Sequence, residues 1–441
     1  MRASDLKAPR THAPGTPEMR APATASASRP GSRIRYMGSK QWLARRVARL
    51  CDDKPVQRPL VDLFGGMCSV AGAVANSGRP AWVNDVQSYA VSVARCLVSS
   101  PKNPPRRETA EARLAAPYRR NLKALVERFQ HEIRRERQIL DRTRSEYCVA
   151  AASWQHVGNN EALAAEASGL RSDPQRFPYR MTSLTFAWGY FGLRQSVEID
   201  SIRYAIDHAR RTEAIGVEDA AWMRVALLQT ASRIASAPGH FAQYLNARTD
   251  AGHRRIIACR RRSAWDSFLE DLGRVRPFGT TRWRRRNRVF HSDALELWDE
   301  FDRVKPSAPA VFYADPPYSK EHYSRYYHVL ESLDRYDYPE ASGTGRYRQD
   351  RFRTSFSIKS EVAGAVESLA SAISARDGTL LLSYPSSGLL TCALEVDVAE
   401  MLRAYFSDVR LVIQAEAAHS TLGGRHGSSH QEVLEYVWLA D

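Results

Sequence analysis

Residues 310–318 read Ala-Val-Phe-Tyr-Ala-Asp-Pro-Pro-Tyr, an apolar run that ends in an acidic residue and two prolines. The apolar run predicts a buried β-strand, and the prolines fix two φ angles and remove two N–H donors. Ligands of open α/β sheets bind beyond the carboxyl ends of the strands. The stretch therefore predicts an α/β fold with Asp315 at the ligand-binding edge. The alternative is a plain strand end, in which Pro316 and Pro317 only stop the pairing.

Two earlier segments have the same character. Residues 60–64 form an apolar run that ends at Gly65-Gly66, and residues 81–85 read Ala-Trp-Val-Asn-Asp. A helical pattern follows each of them, and this strand–turn–helix–strand order is half of a doubly wound nucleotide-binding fold. Further strands are predicted at 288–293, 310–315, 378–385, 409–413 and 432–439. We therefore expect a doubly wound, Rossmann-like α/β sheet with an inserted, mostly helical domain.

The chain divides into four parts. Residues 1–32 are rich in Ala, Pro, Ser, Thr and Arg and almost lack large apolar residues, so we expect a disordered tail. Residues 33–100 hold the first half of the α/β domain, and residues 288–441 hold the second half. Residues 101–287 form the helical insert, in which one long charged helix is predicted over 118–147.

Composition narrows the function classes. The net charge is +15 and the sequence pI is about 9.7, which favours a nucleic acid partner. No run of eighteen apolar residues is present, so we expect no membrane span and a cytoplasmic protein. The six cysteines have no zinc-site spacing, so we expect no metal.

The turn after the first strand predicts a ligand site. Gly65 and Gly66 allow a ligand to approach the backbone closely, and Phe64 precedes them. Asp62 could hold an ammonium group directly or through water. Asp85 is placed to accept ribose hydroxyls or, alternatively, to cap the next helix. Asp293 either helps to orient a ligand or caps a helix.

The corner at 315–318 suits a weakly nucleophilic exocyclic amine. The carboxylate of Asp315 and the carbonyl of Pro316 can accept both hydrogens of an amino group, because Pro316 and Pro317 hold the backbone rigid without competing donors. The ring of Tyr318 can stack on a base. Two acceptors on an adenine N6 favour a pyramidal nitrogen with an available lone pair.

Two basic stretches are candidate DNA contacts. In the first, Arg282, Arg284, Arg285 and Arg286 could bind phosphates, because arginine bridges phosphate oxygens; the alternative is a solvated linker. In the second, residues 319–328, basic and aromatic residues alternate beside the corner. Here Lys320, Tyr323 and Arg325 are candidates, and an aromatic core helix is the alternative.

These segments together resemble the DNA adenine methylase family of N6-adenine-specific DNA methyltransferases. Residues 34–40 (Ile-Arg-Tyr-Met-Gly-Ser-Lys) are similar to the family's N-terminal cofactor motif, 62–66 (Asp-Leu-Phe-Gly-Gly) to its glycine-rich loop, and 312–318 to its signature. The order is also the family's: cofactor-binding half, target-recognition insert, catalytic half. In the glycine-rich loop, Cys68 stands where the family usually has a second glycine.

The resemblance implies an activity and a site. It implies that Tyr36, Gly38 and Lys40 line an S-adenosyl-L-methionine site, that Asp85 is the acidic residue of the second motif, and that Asp315 to Tyr318 are catalytic. The methyl acceptor would be N6 of an adenine flipped out of double-stranded DNA, with a cognate restriction endonuclease as a further partner. Two alternatives stay open: an RNA adenine methyltransferase with the same site, and an inactive DNA-binding relative.

Overall fold

The computed structural model describes residues 31–32, 34–36, 40–155, 161–304, 306–420 and 430–441. Its central sheet contains seven of the strands found in these residues, in the order β3-β2-β1-β4-β7-β9-β8. Their bounds are β1 (Leu60–Asp62), β2 (Ala81–Asn84), β3 (Arg288–Phe290), β4 (Val311–Ala314), β7 (Thr379–Pro385), β8 (Val409–Ser420) and β9 (His430–Ala440). A separate hairpin pairs β5 (Ala341–Ser342) with β6 (Tyr347–Arg348). All seven strands predicted from the sequence lie in the central sheet.

Neighbouring strands from β3 through β7 run parallel, and β9 is antiparallel to both β7 and β8. In the middle of the sheet β1 pairs with β4, with Leu60 opposite Val311. The strand order reverses there, because β2 and β3 lie on one side and the later strands lie on the other. A crevice forms beyond the carboxyl ends of the strands at such a switch point. The doubly wound, Rossmann-like fold class is confirmed.

Helices cover both faces of the sheet, and side chains alternate between two apolar clusters. Val61 and Phe312 belong to one cluster, whereas Leu60 and Val311 belong to the other. The helices within the two α/β halves are α1 (Gln41–Asp52), α2 (Ser69–Ala73), α3 (Ser88–Ala94), α14 (Trp298–Arg303), α15 (Tyr323–Arg335), α16 (Val362–Ser374) and α17 (Val398–Arg403). Burial on both faces explains why the inner strands β1, β2 and β4 are mostly apolar.

The segment between α3 and β3 is helical in the described residues. It contains α4 (Arg107–Arg128), α5 (Gln130–Ile139), α6 (Arg144–Gln155), α7 (Glu161–Gly169), α8 (Met181–Thr185), α9 (Leu193–Arg211), α10 (Val217–Ile234), α11 (Asp250–Arg260), α12 (Ala264–Arg274) and α13 (Thr281–Arg284). Its apolar side chains join those of α1, α3 and α15 in one cluster. The domain boundaries drawn from the sequence stay a prediction, since this shared core crosses them.

The single long helix predicted over 118–147 is wrong. The first helix begins eleven residues earlier, at Arg107, and ends at Arg128, and Phe129 is buried at the break. The third helix starts at a reciprocal cap: Glu146 accepts a hydrogen bond from the Thr143 amide at 3.0 Å and donates its own amide to Thr143 Oγ1 at 3.4 Å. This Thr-x-x-Glu pattern was visible in the sequence.

Within the described residues, no helix is both long and apolar enough to cross a membrane. The predicted tail is outside the described residues except for Gly31 and Ser32, and the predicted site residue Gly38 also lies outside them.

Candidate active site

Four aspartates stand at the carboxyl ends of four neighbouring parallel strands. Asp62 is the last residue of β1, Asp85 follows β2, Asp293 comes shortly after β3, and Asp315 follows β4. Because parallel strands end at the same edge of the sheet, the fold gathers residues that are up to 253 positions apart in the sequence. This edge of the sheet is the carboxyl edge below.

A two-lobed cleft opens at the carboxyl edge. The larger lobe has a free volume of about 80 Å³, and the smaller lobe has one of about 40 Å³. Tyr36, Phe64 and Asp315 line both lobes. The larger lobe is also lined by Asn84, Asp85, Gln87, Asp293, Pro317, His322, Tyr323, Phe352 and Thr354, and the smaller one by Lys40, Asp62, Gly65, Gly66 and Tyr313. The cleft therefore joins the glycine turn to the corner that contains Asp315.

The glycine turn is fixed by close packing. A Cβ on Gly65 would lie 2.2 Å from Cγ1 of Val83, so only glycine fits against β2. Gly66 has φ +46°, and a Cβ there would lie 3.0 Å from the ring of Tyr36. Gly65 and Gly66 therefore let Tyr36 and β2 approach the backbone of the turn.

Asp85 ties the turn to the second strand. Its Oδ2 accepts a hydrogen bond from the Gly66 amide at 2.9 Å, and its Oδ1 accepts one from the Gln87 amide at 2.9 Å. The carboxylate of Glu331 instead accepts from the first amides of α3, at Ser88 and Tyr89. Asp85 therefore orders the floor of the cleft rather than capping α3.

Cys68 adopts the conformation for which a glycine is suited. Its φ is 59° and its ψ is 31°, in the left-handed region, and its side chain is fully buried. An L-residue with a Cβ pays roughly 1–2 kcal/mol for this conformation. The departure from the glycine-rich pattern is thus accommodated locally, with backbone strain.

Lys40 connects Asp315 at the end of β4 to Glu435 on β9. Its Nζ lies 3.3 Å from Oδ1 of Asp315 and 2.7 Å from Oε1 of Glu435, a fully buried residue on β9. Ser383 on β7 donates to the same Oε1 at 2.7 Å. Burial alone would lower the pKa of Lys40, but Asp315 and Glu435 raise it above its usual value. Lys40 is therefore a fixed cation beside Asp315.

The cleft carries acidic groups that are held out of water. Burial, together with Asp315 and Asp85, raises the pKa of Asp62 to about 7. Burial also raises the pKa of Asp85 to about 6, against the hydrogen bonds from the Gln87 and Gly66 amides. Oδ1 of Asp62 has no hydrogen-bond partner among the described residues. Such a carboxylate suits a cationic or hydrogen-bond-donating ligand.

Tyrosine rings form one wall of the cleft. Tyr36 stacks on Tyr327, with ring centroids 4.8 Å apart, and Tyr323 lies 6.0 Å from Tyr36. Tyr323, predicted as a DNA contact, therefore belongs to the wall of the cleft. Tyr318 packs against the second apolar cluster, outside the set of residues that line the cleft, so its base-stacking role stays a prediction.

The two prolines of the corner have different surroundings. Pro316 is buried, whereas Pro317 lines the larger lobe. Asp293 lines the same lobe, and its Oδ1 accepts a hydrogen bond from the Leu295 amide at 2.9 Å, so it caps a turn; its role in orienting a ligand stays a prediction.

The arginine cluster before β3 lies opposite the carboxyl edge, at the amino ends of the strands. Arg284 is 2% exposed and donates to the carbonyls of Ser100, Phe278 and Gly279. Its neighbour Trp283 donates to the Arg79 carbonyl, just before β2 begins. Assigning Arg284 to DNA is therefore wrong, because its guanidinium is buried and satisfied.

Arg282, Arg285 and Arg286 are exposed but share that location, at the amino ends of the strands. Arg286 donates to the Gly78 carbonyl at 3.0 Å. Phosphate contact by this cluster is not supported, since the cleft opens at the opposite edge. Lys320 and Arg325 do lie on the cleft side: Lys320 is exposed, and Arg325 pairs with Glu321 at 3.0 Å.

Sequence reasoning missed Glu435, Asn84 and Phe352. Glu435 and Ser383 are polar residues within apolar strands, which was a usable signal for a buried network. Asn84 bridges two strand ends, donating to the carbonyls of Leu63 and Ser292. No cluster of three metal-ligating side chains occurs in the described ranges.

Fold and cleft together define a Rossmann-like protein with an acidic ligand site at the switch point of its sheet. Comparison with known proteins identifies it further. The model of the D12 class N6 adenine-specific DNA methyltransferases matches residues 36–154 and 190–377, and the chain belongs to this family.

Curated relatives carry matching names. The chain is 25% identical to the type II methyltransferase M.FokI of Planomicrobium okeanokoites over 250 residues, 56% of this chain and 34% of that protein. It is 20% identical to the modification methylase StsI of Streptococcus sanguinis over 414 residues, 92% of this chain and 51% of that protein. It is 22% identical to the type II methyltransferase M.NlaIII of Neisseria lactamica, covering 49% of this chain and 57% of that protein. The chain thus spans about a third to a half of the first two relatives. No solved structure matches.

Proposed function

We propose that this chain transfers a methyl group from S-adenosyl-L-methionine to N6 of an adenine flipped out of double-stranded DNA. One observation carries the proposal: Asp315, at the rigid Asp-Pro-Pro-Tyr corner, lines the same cleft as the glycine turn and Tyr36. Membership of the D12 class supports the base and the polymer.

The residues of the cleft fit the cofactor. The buried Oδ1 of Asp62 lacks a partner among the described residues and would accept from the ammonium group of the methionine moiety. Asp85 would face the ribose and Phe64 the adenine ring, in the larger lobe. When bound, the cofactor would supply an electrophilic methyl group on a sulfonium centre, and the acidic lining favours that positive charge.

The chain's own groups would position the acceptor. The carboxylate of Asp315 and the carbonyl of Pro316 would accept the two hydrogens of the adenine amine. Lys40 holds Oδ1 of Asp315 from one side and so fixes the carboxylate at the wall of the cleft. Asp315 would receive the proton that the amine loses. Catalysis would rest on positioning and a preorganised electrostatic environment, with no covalent enzyme intermediate.

The duplex must release the target base into the cleft, which costs a few kcal/mol of stacking and pairing. The relatives' names, type II methyltransferase and modification methylase, support a role in restriction–modification, with a cognate endonuclease as partner. The same methyl transfer would also serve to mark the DNA of a phage or of its host.

The test replaces Asp315 by alanine. Transfer of labelled methyl groups to adenine-containing duplex DNA should fall about a thousandfold or more. Calorimetric affinity for S-adenosyl-L-methionine should change by less than roughly tenfold, about 1.4 kcal/mol. Asp408→Ala is the matched control, because Asp408 is half exposed beside the first residue of β8.

Three results would overturn the proposal. Asp315→Ala could retain full transfer, which would remove the catalytic role. The wild type could methylate structured RNA and not DNA, which would favour the RNA alternative. It could also bind DNA without binding the cofactor, as an inactive relative would.

A further inference from the structure

The segment after β6 runs along the mouth of the cleft. Phe352 and Thr354 line the larger lobe, and the Phe352 carbonyl accepts a hydrogen bond from Ser324 Oγ at 2.6 Å. Arg351 and Arg353 flank Phe352 in the sequence; Arg353 is exposed and Arg351 is half-buried. Two arginines are therefore tethered to the wall of the site by the residue between them.

These two arginines differ from their neighbours in the hairpin. Arg348 is buried and bonds to both oxygens of Asp337 at 2.6 and 2.7 Å. Arg346 donates to the carbonyls of Thr185 and Ala187. By contrast, neither Arg351 nor Arg353 has a carboxylate within ion-pair distance in the part of the chain that the structure describes.

Their positive charge reaches the cleft. His322 lines the larger lobe, and its pKa is lowered by burial and then by Arg353 and Arg351. Arg351 and Arg325 both lie over the ring of Tyr347, at 5.4 and 5.0 Å from its centroid. Glu321 pairs with Arg325 and offsets its charge, whereas Arg351 and Arg353 have no carboxylate partner among the described residues.

We propose that Arg351 and Arg353 bind the phosphates that flank the target nucleotide, with Phe352 between them forming the wall that the extruded base passes. The inference rests on the proposed function, since it takes the cleft as the place where the base enters. The expected partner chemistry is the DNA backbone, because an arginine without an acidic partner satisfies its donors on phosphate oxygens. These two residues then take the role that the sequence suggested for the cluster at 282–286.

The experiment compares two double variants with the same charge change. Arg351→Gln/Arg353→Gln removes the pair at the mouth, and Arg282→Gln/Arg285→Gln removes two exposed arginines at the opposite edge. Binding of a duplex that contains adenines is measured by fluorescence anisotropy from about 50 to 200 mM salt, with S-adenosylhomocysteine present. Thermal unfolding of each variant checks that the fold is kept.

The mouth variant should bind roughly ten- to hundredfold more weakly, and its salt slope should be shallower by about 2, one counterion-release step per phosphate contact. The control variant should match the wild type within about twofold. Equal salt slopes for wild type and mouth variant, or an equal loss in both variants, would overturn the inference.

Methyl transfer measured on the same samples separates the two proposals. If transfer persists while the mouth variant binds normally, the phosphate assignment fails and the proposed function stands. If the wild type binds DNA through these arginines but transfers no methyl group to it, the proposed function fails and the DNA-binding surface stands.

Discussion

The carboxyl edge of the central sheet and the opposite edge, where the strands begin (the amino edge), differ in how their charged residues are placed. At the carboxyl edge, Asp62, Asp85, Asp293 and Asp315 surround a cleft, and Oδ1 of Asp62 is buried without a partner among the described residues. At the amino edge, the buried arginines Arg79 and Arg284 donate to several backbone carbonyls each. Buried carboxylates around a cleft, with raised pKa values at Asp62 and Asp85, are typical of a ligand site, whereas buried arginines that donate to backbone carbonyls are typical of a structural role.

Arg79 is an example of a buried arginine at the amino edge. Its guanidinium donates to four carbonyls, those of Cys51, Lys54, Pro55 and Arg58, where α1 ends and the chain turns into β1. Cations are favourable near the negative end of a helix. Arginine counts therefore say little about DNA binding until the edge on which each arginine lies is known.

The largest effect on stability is expected at Lys40. Lys40→Met leaves the buried Glu435 and the partly buried Asp315 without their cation, so we expect a loss of about 3–5 kcal/mol in unfolding free energy. Methyl transfer per folded molecule should fall at least roughly a hundredfold, because Asp315 is no longer held. Urea unfolding and single-turnover transfer measure the two effects.

A second variant separates the contribution of Lys40 to stability from its role in positioning Asp315. Lys40→Met/Glu435→Gln removes the uncompensated charge of Glu435 while its hydrogen bond from Ser383 can persist. We expect stability to recover in part and transfer to stay low. Recovery of both together would contradict a positioning role for Lys40.

Asp62 should give the next largest effect, and it depends on pH. Its pKa of about 7 in the folded protein exceeds the ordinary value of 3.8, so the folded state holds a proton that the unfolded state releases above about pH 4. The stability that this proton contributes is present at low pH and is lost as the pH rises through about 7. The full difference amounts to roughly 4 kcal/mol, since one pKa unit corresponds to about 1.4 kcal/mol.

The comparison is between wild type and Asp62→Asn, unfolded in urea at pH 5 and pH 8. We expect the variant to gain on the wild type by roughly 2–3 kcal/mol between pH 5 and pH 8, because part of the difference is already present at pH 5. A stability difference that is the same at both pH values would show that the carboxyl group of Asp62 does not titrate in this range.

At the amino edge, Arg284→Ala should affect stability and not function. The buried guanidinium satisfies three backbone carbonyls, so its loss should cost about 2–3 kcal/mol. Arg285→Ala, an exposed neighbour, should change stability by less than about 0.5 kcal/mol. A selective loss of DNA affinity in stable Arg284→Ala protein would contradict this assignment.

The smallest effect is expected at Cys68. Cys68→Gly removes the left-handed strain of about 1–2 kcal/mol, and it also removes a buried side chain and adds freedom to the unfolded chain. These terms oppose each other, so we expect a net change within about 1 kcal/mol. Cys68→Ala keeps the strain and loses the sulfur, so it should be the less stable of the two by thermal unfolding; the reverse order would contradict a strained loop.

The acidic edge was predictable because β1, β2 and β4 are short apolar runs that end at or next to an aspartate, as residues 310–315 do. Parallel pairing then places the strand ends together without knowledge of any contact. Contacts between distant segments were not predictable: Lys40 and Glu435 meet across 395 residues. The burial of Arg284 was also hidden, because a run of arginines carries no information about which edge it occupies.

The most direct test of the account is a crystal structure of the protein with S-adenosylhomocysteine. The account predicts the ligand in the cleft that joins Gly65-Gly66 to Asp315, in contact with Tyr36, Asp62 and Phe64. A ligand bound elsewhere, with this cleft closed by packed side chains, would contradict it.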